Sequence, residues 1–457
     1  MNRRDFLKTL SVGAASVLTA GCASSRLNSR SVTSTIKPNI VFIMADDLGA
    51  AHLGCYGGQD ILTPSIDRLA AQGMRFTQAY AGHCVCAPSR SVLMTGQHTG
   101  HTRVRGNSCK TGGDPDEETG RGCRLALRPE DITVAEVLKA AGYRTGITGK
   151  WGLGEAGSTG VPNRQGFDEW FGYLNQNMAV YYYLDYLWHN EQRFEIPENR
   201  NDAQKVYTHD LMADFALDFI RRHRDEPFFL YVPFTIPHFN HEVPDIEPYA
   251  DKPWSQEQKV FAAMVTRMDK DVGRIHDLLK TLDIDKDTVV FFCSDNGGIM
   301  GGTLPHLQGG KGSFKEGGIR TPMIVSWPGK IKAGMVSDTP WYFADVMPTL
   351  AQLAGANAPA NIDGASVVPA LFGQAQPQLR ERFMYWENPK KRLQQAARWQ
   401  NWKAFRKKQG AKLELYDLVA DPGEQNDVAN EHPEIVYLFE DYLKTARSES
   451  PHYPLDG

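Results

Sequence analysis

The chain has 457 residues, with 50 Lys+Arg against 54 Asp+Glu and 41% hydrophobic residues. That balance excludes a disordered or collagen-like chain and a strongly basic, dedicated nucleic-acid binder. At roughly 150 residues per domain the length fits two or three domains, and seven cysteines are too sparse for a disulfide-stapled scaffold.

Residues 1–36 read as a leader and linker. Arg3 and Arg4 precede a weakly apolar run, Leu10 to Ala20, that is too short to cross a bilayer. The paired arginines with Phe6-Leu7-Lys8 resemble a Tat signal, which passes folded protein to the Tat export machinery. Ala20-Gly21-Cys22 resembles a lipoprotein cleavage site, with Thr19 where Leu is commoner. The expectation is an exported protein, periplasmic or lipid-anchored at the cell envelope, meeting the membrane only through a lipid on Cys22.

After Pro38, apolar strand-like runs alternate with helical periodicity, the pattern of a sheet with helices packed on it. The runs are Asn39 to Met44, Tyr143 to Ile147, Pro227 to Val232, Thr288 to Cys293 and Pro322 to Ser326. Between them Thr133 and Glu136 form a capping box, Val134, Val137, Leu138 and Ala141 form one helix face, and Gly142 supplies a stop. Helical spacing also fits Ser65 to Gln72, Thr208 to Arg222 and Ser255 to Thr281. From about Met347 the pattern becomes hairpin-like, through Trp399 to Phe405 and Leu413 to Leu418, and ends in a helix from Pro433 to Thr445. The chain thus divides into a leader over 1–36, a main domain over 37–346, and a C-terminal antiparallel-sheet subdomain over 347–457.

The residues just beyond each strand carry the functional reading. The first run ends in Asp46-Asp47, the second leads to Lys150, the third to His238 and the fourth to Asp295-Asn296. Ligands of open α/β sheets bind beyond the carboxyl ends of the strands, so these four coincidences predict one assembled site. Asp46, Asp47, Asp295 and Asn296 offer only oxygen donors, a set for Ca2+ or Mg2+ rather than zinc.

The most specific signal is Cys86-Ala-Pro-Ser-Arg90 followed by Met94-Thr-Gly96. With Gly142-Tyr-Arg-Thr145 running into Gly149-Lys150-Trp151, Pro237-His238, Ser294-Asp-Asn-Gly297 and Gly310-Lys311-Gly312, it resembles the type I sulfatases of the alkaline-phosphatase superfamily. The resemblance runs from Pro38 to the C-terminus. It implies an α/β fold with a large mixed sheet sandwiched by helices and a smaller C-terminal α+β subdomain. It also implies that a maturation enzyme oxidises Cys86 to Cα-formylglycine (3-oxoalanine). A thiolate attacking sulfur would leave a stable thiosulfate ester; a hydrated aldehyde attacks with one hydroxyl and expels sulfate when the second loses its proton. Arg90, Lys150 and Lys311 are then the cations around the anion, His238 and Lys311 the proton donors to the leaving oxygen, and Asp295 orients the attacking hydroxyl.

One position departs from the family pattern. Many members carry His after Gly-Lys-Trp, where this chain has Gly152. His98 and His101 are the nearest histidines to the nucleophile motif, and His101 is expected to line the site in its place. Arg103 and Arg105 are expected to meet further sulfates, and the aromatic tract Asn177 to Asn190, Tyr183 and Trp188 above all, to stack on a sugar ring. The substrate implied is a sulfated carbohydrate, such as a galactose or N-acetylgalactosamine sulfate, with aryl sulfates as surrogates. Cys109 and Cys123 could pair in an oxidising periplasm; Cys55, Cys84 and Cys293 read as plain buried or loop residues. Two other readings stand beside this one. A phosphomonoester or phosphonate hydrolase would share the fold, although a two-zinc phosphatase would need Ser or Thr as nucleophile and extra His ligands. A non-catalytic glycan-binding lipoprotein is the outcome if Cys86 is never oxidised.

Overall fold

In the computed structural model, which describes residues 37–115, 120 and 122–455, the apolar runs become the middle of a ten-stranded sheet. The leader and Cys22 lie outside the described residues. In chain order the strands are β1 (Asn39–Ala45), β2 (Met74–Phe76), β3 (Arg144–Lys150), β4 (Glu169–Tyr173), β5 (Tyr186–His189), β6 (Gln192–Glu195), β7 (Phe228–Pro233), β8 (Thr288–Ser294), β9 (Met323–Ser326) and β10 (Met335–Ser337). Across the sheet they run β10-β2-β9-β8-β1-β7-β3-β4-β5-β6. The five strands β8-β1-β7-β3-β4 are parallel, and antiparallel pairs flank them on both sides. The sheet is therefore mixed. Strands β1, β7 and β8 are buried along their whole length, which is why each reads as a continuous apolar run rather than an alternation.

Helices cover both faces: α1 (Pro64–Ala71), α2 (Cys86–Thr95), α3 (Val134–Ala140), α4 (Thr208–His223), α5 (Gln256–Thr281), α6 (Val346–Leu353) and, at the C-terminus, α7 (Pro433–Leu443). The period-two geometry of β1 divides them. Ile40, Phe42 and Met44 face a core shared with Val92 of α2, Leu138 of α3 and Met347 of α6. Val41, Ile43 and Ala45 face another, shared with Leu69 of α1, Phe219 of α4 and Met264 of α5. The capping box at Thr133 and Glu136 forms as the sequence predicts, and Ser255 with Gln258 makes a second at the head of α5. Among the described residues no helix is long and apolar enough to cross a membrane.

The C-terminal sheet is antiparallel, with β11 (Met384–Asn388), β12 (Gln394–Trp399), β13 (Trp402–Arg406) and β14 (Glu414–Asp417) in sequence order. Phe439 and Leu443 of α7 pack on it. The domain junction read at 346/347 falls at the start of α6, whose Met347 and Leu350 belong to the main core, so the main unit continues past that point. Strand β11 is tied directly to it. Trp386 Nε1 donates to the Ala81 carbonyl at 2.8 Å, Tyr342 donates its hydroxyl to the Tyr385 carbonyl at 2.6 Å, and His83 Nε2 lies 3.1 Å from the Glu387 carbonyl. Deeper in, the buried ammonium of Lys403 sits 2.9 Å from both Glu316 and Glu424. Cys109 and Cys123 form a disulfide, with Cα atoms 5.2 Å apart.

Candidate active site

Each predicted strand end arrives at the same place. β1 delivers Asp46 and Asp47, β3 ends on Lys150, β8 delivers Asp295 and Asn296, and the turn after β7 delivers His238. Asp47 adopts a left-handed backbone, φ 68°, a conformation Asp tolerates better than most side chains. Both carboxylates are fully buried.

Cys86 opens α2. Val85 is the N-cap and offers no side-chain cap; the Ala87 N–H is instead taken by Asn107 Oδ1 at 2.9 Å. The thiol lies 3.4 Å from Asp46 Oδ1. One turn along, Arg90 spans the site: Nε and Nη2 donate to Asp295 Oδ2 at 3.1 and 2.8 Å, Nη1 to the Lys150 carbonyl at 2.6 Å, and Nη2 lies 3.4 Å from Asp46. Ser89 Oγ donates to the Asp295 carbonyl at 2.5 Å and accepts from the Gly82 N–H. The helix is thus clamped to the end of β8, about two hundred residues away in sequence.

The lysines complete the network. Lys150 Nζ donates to Asp46 Oδ2 at 2.6 Å, and Lys311 Nζ to Asp47 Oδ2 at 2.6 Å. Lys311 Nζ also lies 2.8 Å from His238 Nε2. An ammonium only donates, so Nε2 accepts, and Nδ1 carries the proton that it donates to the Phe239 carbonyl.

Charge and burial set the protonation states. Burial alone would raise the Asp46 carboxyl, but Lys150, His238, Arg90 and Lys311 outweigh it and hold it far below the usual carboxylate range. Asp295 moves the other way, raised by burial and then by the charge of Asp46. Burial lowers His238 below the ordinary imidazole range, more than Asp46 and Asp47 raise it. Burial, with Asp46 adding to it, keeps the Cys86 thiol protonated far above its ordinary range.

Three buried carboxylates and a carboxamide at one point form a hard-cation donor set. Asn296 Nδ2 donates to Asp47 Oδ1 at 2.8 Å, while its buried Oδ1 has no partner among the described residues. An unmet oxygen beside crowded carboxylates suits a divalent ion. Asp46, Asp47, Cys86 and His238 also bring their ligand atoms within 4.8 Å of one another.

Cys86, Lys150, His238 and Lys311 line one open cavity of about 980 Å3. The five residues expected to meet substrate do not. His101 lies past the C-terminal end of α2, whereas Cys86 is at its start. There His101 bonds Asp363 at 2.9 Å and stacks on His98. Arg105 is buried against Glu387 at 3.1 Å, and Arg103 donates to the Ala126 carbonyl. Tyr183 packs on Tyr207, and Trp188 belongs to β5, where Arg193 covers it. The walls are instead Asn107, Arg124, Gln176, Asn177, Tyr181 and Phe239. Tyr181 and Phe239 are exposed aromatics. Tyr181 belongs to the tract singled out in the sequence, and Phe239 directly follows His238; only the fold separates them from neighbouring core aromatics.

Comparisons with known proteins agree with this geometry. A family profile described as "Sulfatase" matches residues 38–356, and "N-sulphoglucosamine sulphohydrolase, C-terminal" matches residues 310–448. The chain is 35% identical to an N-acetylgalactosamine-6-sulfatase of Canis lupus familiaris, over 74% of this chain and 66% of the relative, so the match spans just under two thirds of that protein's length. It is 32% identical to arylsulfatase A of Homo sapiens, over 87% of this chain and 85% of that one. Among solved structures, Ps i-CgsB in complex with k-i-k-neocarrahexaose superposes with a TM-score of 0.80 at 28% identity, covering 92% of this chain and 95% of that one. The phosphonate monoester hydrolase of Agrobacterium radiobacter, at 21% identity and a TM-score of 0.66, shares the fold. With the profile spanning most of the chain, and the motif residues gathered at one cavity, this protein belongs to the sulfatase family, within the alkaline-phosphatase superfamily.

Proposed function

We propose that the protein releases inorganic sulfate from a sulfated carbohydrate, with Cys86 converted to Cα-formylglycine by a maturation enzyme. The setting of Cys86 carries this reading. Its thiol opens a helix at the wall of the cavity among Lys150, Lys311 and Arg90, yet burial and Asp46 keep it protonated. A protonated thiol is a poor nucleophile. As a hydrated aldehyde the same position supplies one hydroxyl to attack sulfur and a second whose proton loss rebuilds the carbonyl.

Asp46, Asp47, Asp295 and Asn296 would hold a Ca2+ or Mg2+ ion, which supplies a Lewis acid for anionic oxygens. The unmet Asn296 Oδ1 supports that assignment. The chain's own groups do the rest. Arg90 fixes Asp295 and Asp46 relative to the helix that carries position 86. Lys150 and Lys311 place two positive charges at the cavity wall; at 4 Å each is worth about 4 kcal/mol to a bound anion at an effective dielectric of 20. Lys311 and His238 hold a proton between Nζ and Nε2, available to the oxygen that leaves.

The carbohydrate class is supported by relatives that are N-acetylgalactosamine-6-sulfatases and by the neighbour with a bound neocarrahexaose. Export is part of the proposal: residues 1–36 read as a Tat-type leader with a lipid site at Cys22, and the disulfide of Cys109 with Cys123 suits an oxidising compartment.

The test combines mass spectrometry of the peptide containing residue 86 with sulfate release from galactose, N-acetylgalactosamine and glucosamine sulfates. An aldehyde at 86 and turnover of a sulfated sugar are expected. Preferred turnover of phosphate or phosphonate esters, or glycan binding by a protein with an intact thiol and no turnover, would each replace this reading.

A further inference from the structure

Gly152 follows Lys150 and Trp151 at the exit of β3, with a left-handed φ of 82°. A Cβ built there would fall 1.9 Å from Gln176 Nε2. The space a side chain at 152 would enter is already taken by the carboxamide of Gln176. The two segments are also tied by backbone, since the Gly152 N–H donates to the Leu174 carbonyl at 2.8 Å. Asn175 Oδ1 then accepts the Asn177 and Met178 N–H groups, both at 3.0 Å, and fixes the turn on which Gln176 stands.

Gln176 lines the same cavity as Cys86, Lys150, His238 and Lys311. It is only 8% exposed, and among the described residues neither Oε1 nor Nε2 has a hydrogen-bond partner. Buried side-chain amides are nearly always satisfied. An amide left open at both ends, inside the cavity of the proposed reaction, is waiting for a ligand that both donates and accepts. A sulfate ester offers only acceptors, so it leaves one end unmet whichever way the amide is turned. A sugar hydroxyl satisfies both.

We propose that Gln176 is a specificity-determining residue that binds a hydroxyl of the leaving-group sugar in the Cys86 cavity; this rests on the sulfatase reading above. A carboxamide neither ionises nor takes up a proton near neutral pH, so Gln176 takes the space of a side chain at 152 without supplying a base. Its part is recognition of the sugar.

The test uses the matured, metal-loaded enzyme and the Gln176→Met and Gln176→Leu variants. Each is assayed on the monosaccharide sulfate that the wild type turns over fastest, among those of galactose, N-acetylgalactosamine and glucosamine, and on 4-nitrophenyl sulfate, which has no sugar hydroxyl. The expected result is a kcat/KM lower on the order of 10- to 100-fold for the sugar sulfate, carried mainly by KM, with the aryl sulfate within about twofold. Calorimetric binding of the matching desulfated sugar should weaken by a similar factor, while thermal unfolding is unchanged or shifts upward. Sulfate release by the wild type tests the sulfatase reading by itself. With the wild type active, equal losses on both substrates, or unchanged sugar binding in both variants, would overturn the assignment of Gln176.

Discussion

Lys311 Nζ lies 2.8 Å from His238 Nε2, and the two side chains leave the chain at points 73 residues apart. Because the ammonium donates, the pair carries one proton more than a neutral histidine alone and presents it at the cavity wall.

Replacing either partner should therefore slow the departure of a basic leaving oxygen more than that of an acidic one. Lys311→Ala and His238→Gln should lower kcat by about 10²- to 10⁴-fold on a sugar sulfate. The loss should shrink steadily across aryl sulfates of falling phenol pKa. A flat response across that series would remove proton donation from this pair.

The thiol at 86 should be inert in protein that has not been matured. Burial and Asp46 hold it protonated, so alkylation by iodoacetamide at pH 8 should be far slower than for an unfolded control. Cys86→Ala should keep its thermal midpoint within a few degrees and lose roughly three orders of magnitude or more in sulfate release. Rapid labelling of the folded protein would contradict the environment described for Cys86.

Chelation should destabilise the protein as well as inactivate it. Asp46, Asp47 and Asp295 are fully buried beside one another, and a cation that binds only the folded chain stabilises it by about 2.7 kcal/mol at a hundredfold excess over Kd. Treatment with EDTA should lower the thermal midpoint and added Ca2+ restore it. Asn296→Ala should weaken that restoration. A midpoint that ignores both additions would show that the four oxygen ligands hold no ion.

The pH dependence of stability has a defined sign. His83 is fully buried; its Nδ1 accepts the Val85 N–H at 3.1 Å, so its proton sits on Nε2, facing the Glu387 carbonyl. Burial pushes its pKa down from 6.5 to about 3, the Glu387 carbonyl opposing only in part. Burial likewise pushes His52 down to about 4. Between these values and 6.5 the unfolded chain binds more protons than the folded one. The stabilisation is therefore complete above pH 6.5 and is lost as pH falls towards 3 to 4, by about 1.4 kcal/mol per pH unit for each histidine. Urea unfolding at pH 4.5, 5.5 and 6.5 should show a less steep rise of stability with pH for His83→Gln than for the wild type, and an identical slope in the two proteins would contradict a buried neutral His83.

The parts of the fold legible in the sequence are those set by local chemistry. β1, β7 and β8 are buried on both faces, so their residues are apolar apart from the ends Asn39, Thr288 and Ser294, and the polar residue after each run marked the end where the site lies. Thr133 and Glu136 declared a helix start for the same local reason. What stayed hidden depends on partners far along the chain. His101 sits close to Cys86 in sequence, but α2 carries it to the opposite end, and Asp363, 262 residues on, claims it. Tyr182 and Tyr181 are adjacent and chemically identical; one is fully buried and one faces the cavity, a distinction made by the segment after β7, whose Thr235 and His238 carbonyls accept the Tyr182 hydroxyl. Gln176 gave no signal, because a lone glutamine becomes informative only when the atoms around it are known.

The ties of β11 have a consequence for anyone trimming this chain. Its Trp386 and Glu387 hold Ala81 and His83, the residues that lead into Cys86, while Lys403 in the same sheet neutralises Glu316, five residues past Lys311. Deleting the last quarter of the protein would not yield a smaller catalyst. It would remove the buried ammonium from beside Glu316 and loosen the approach to the nucleophile, so the working unit extends through at least Lys403.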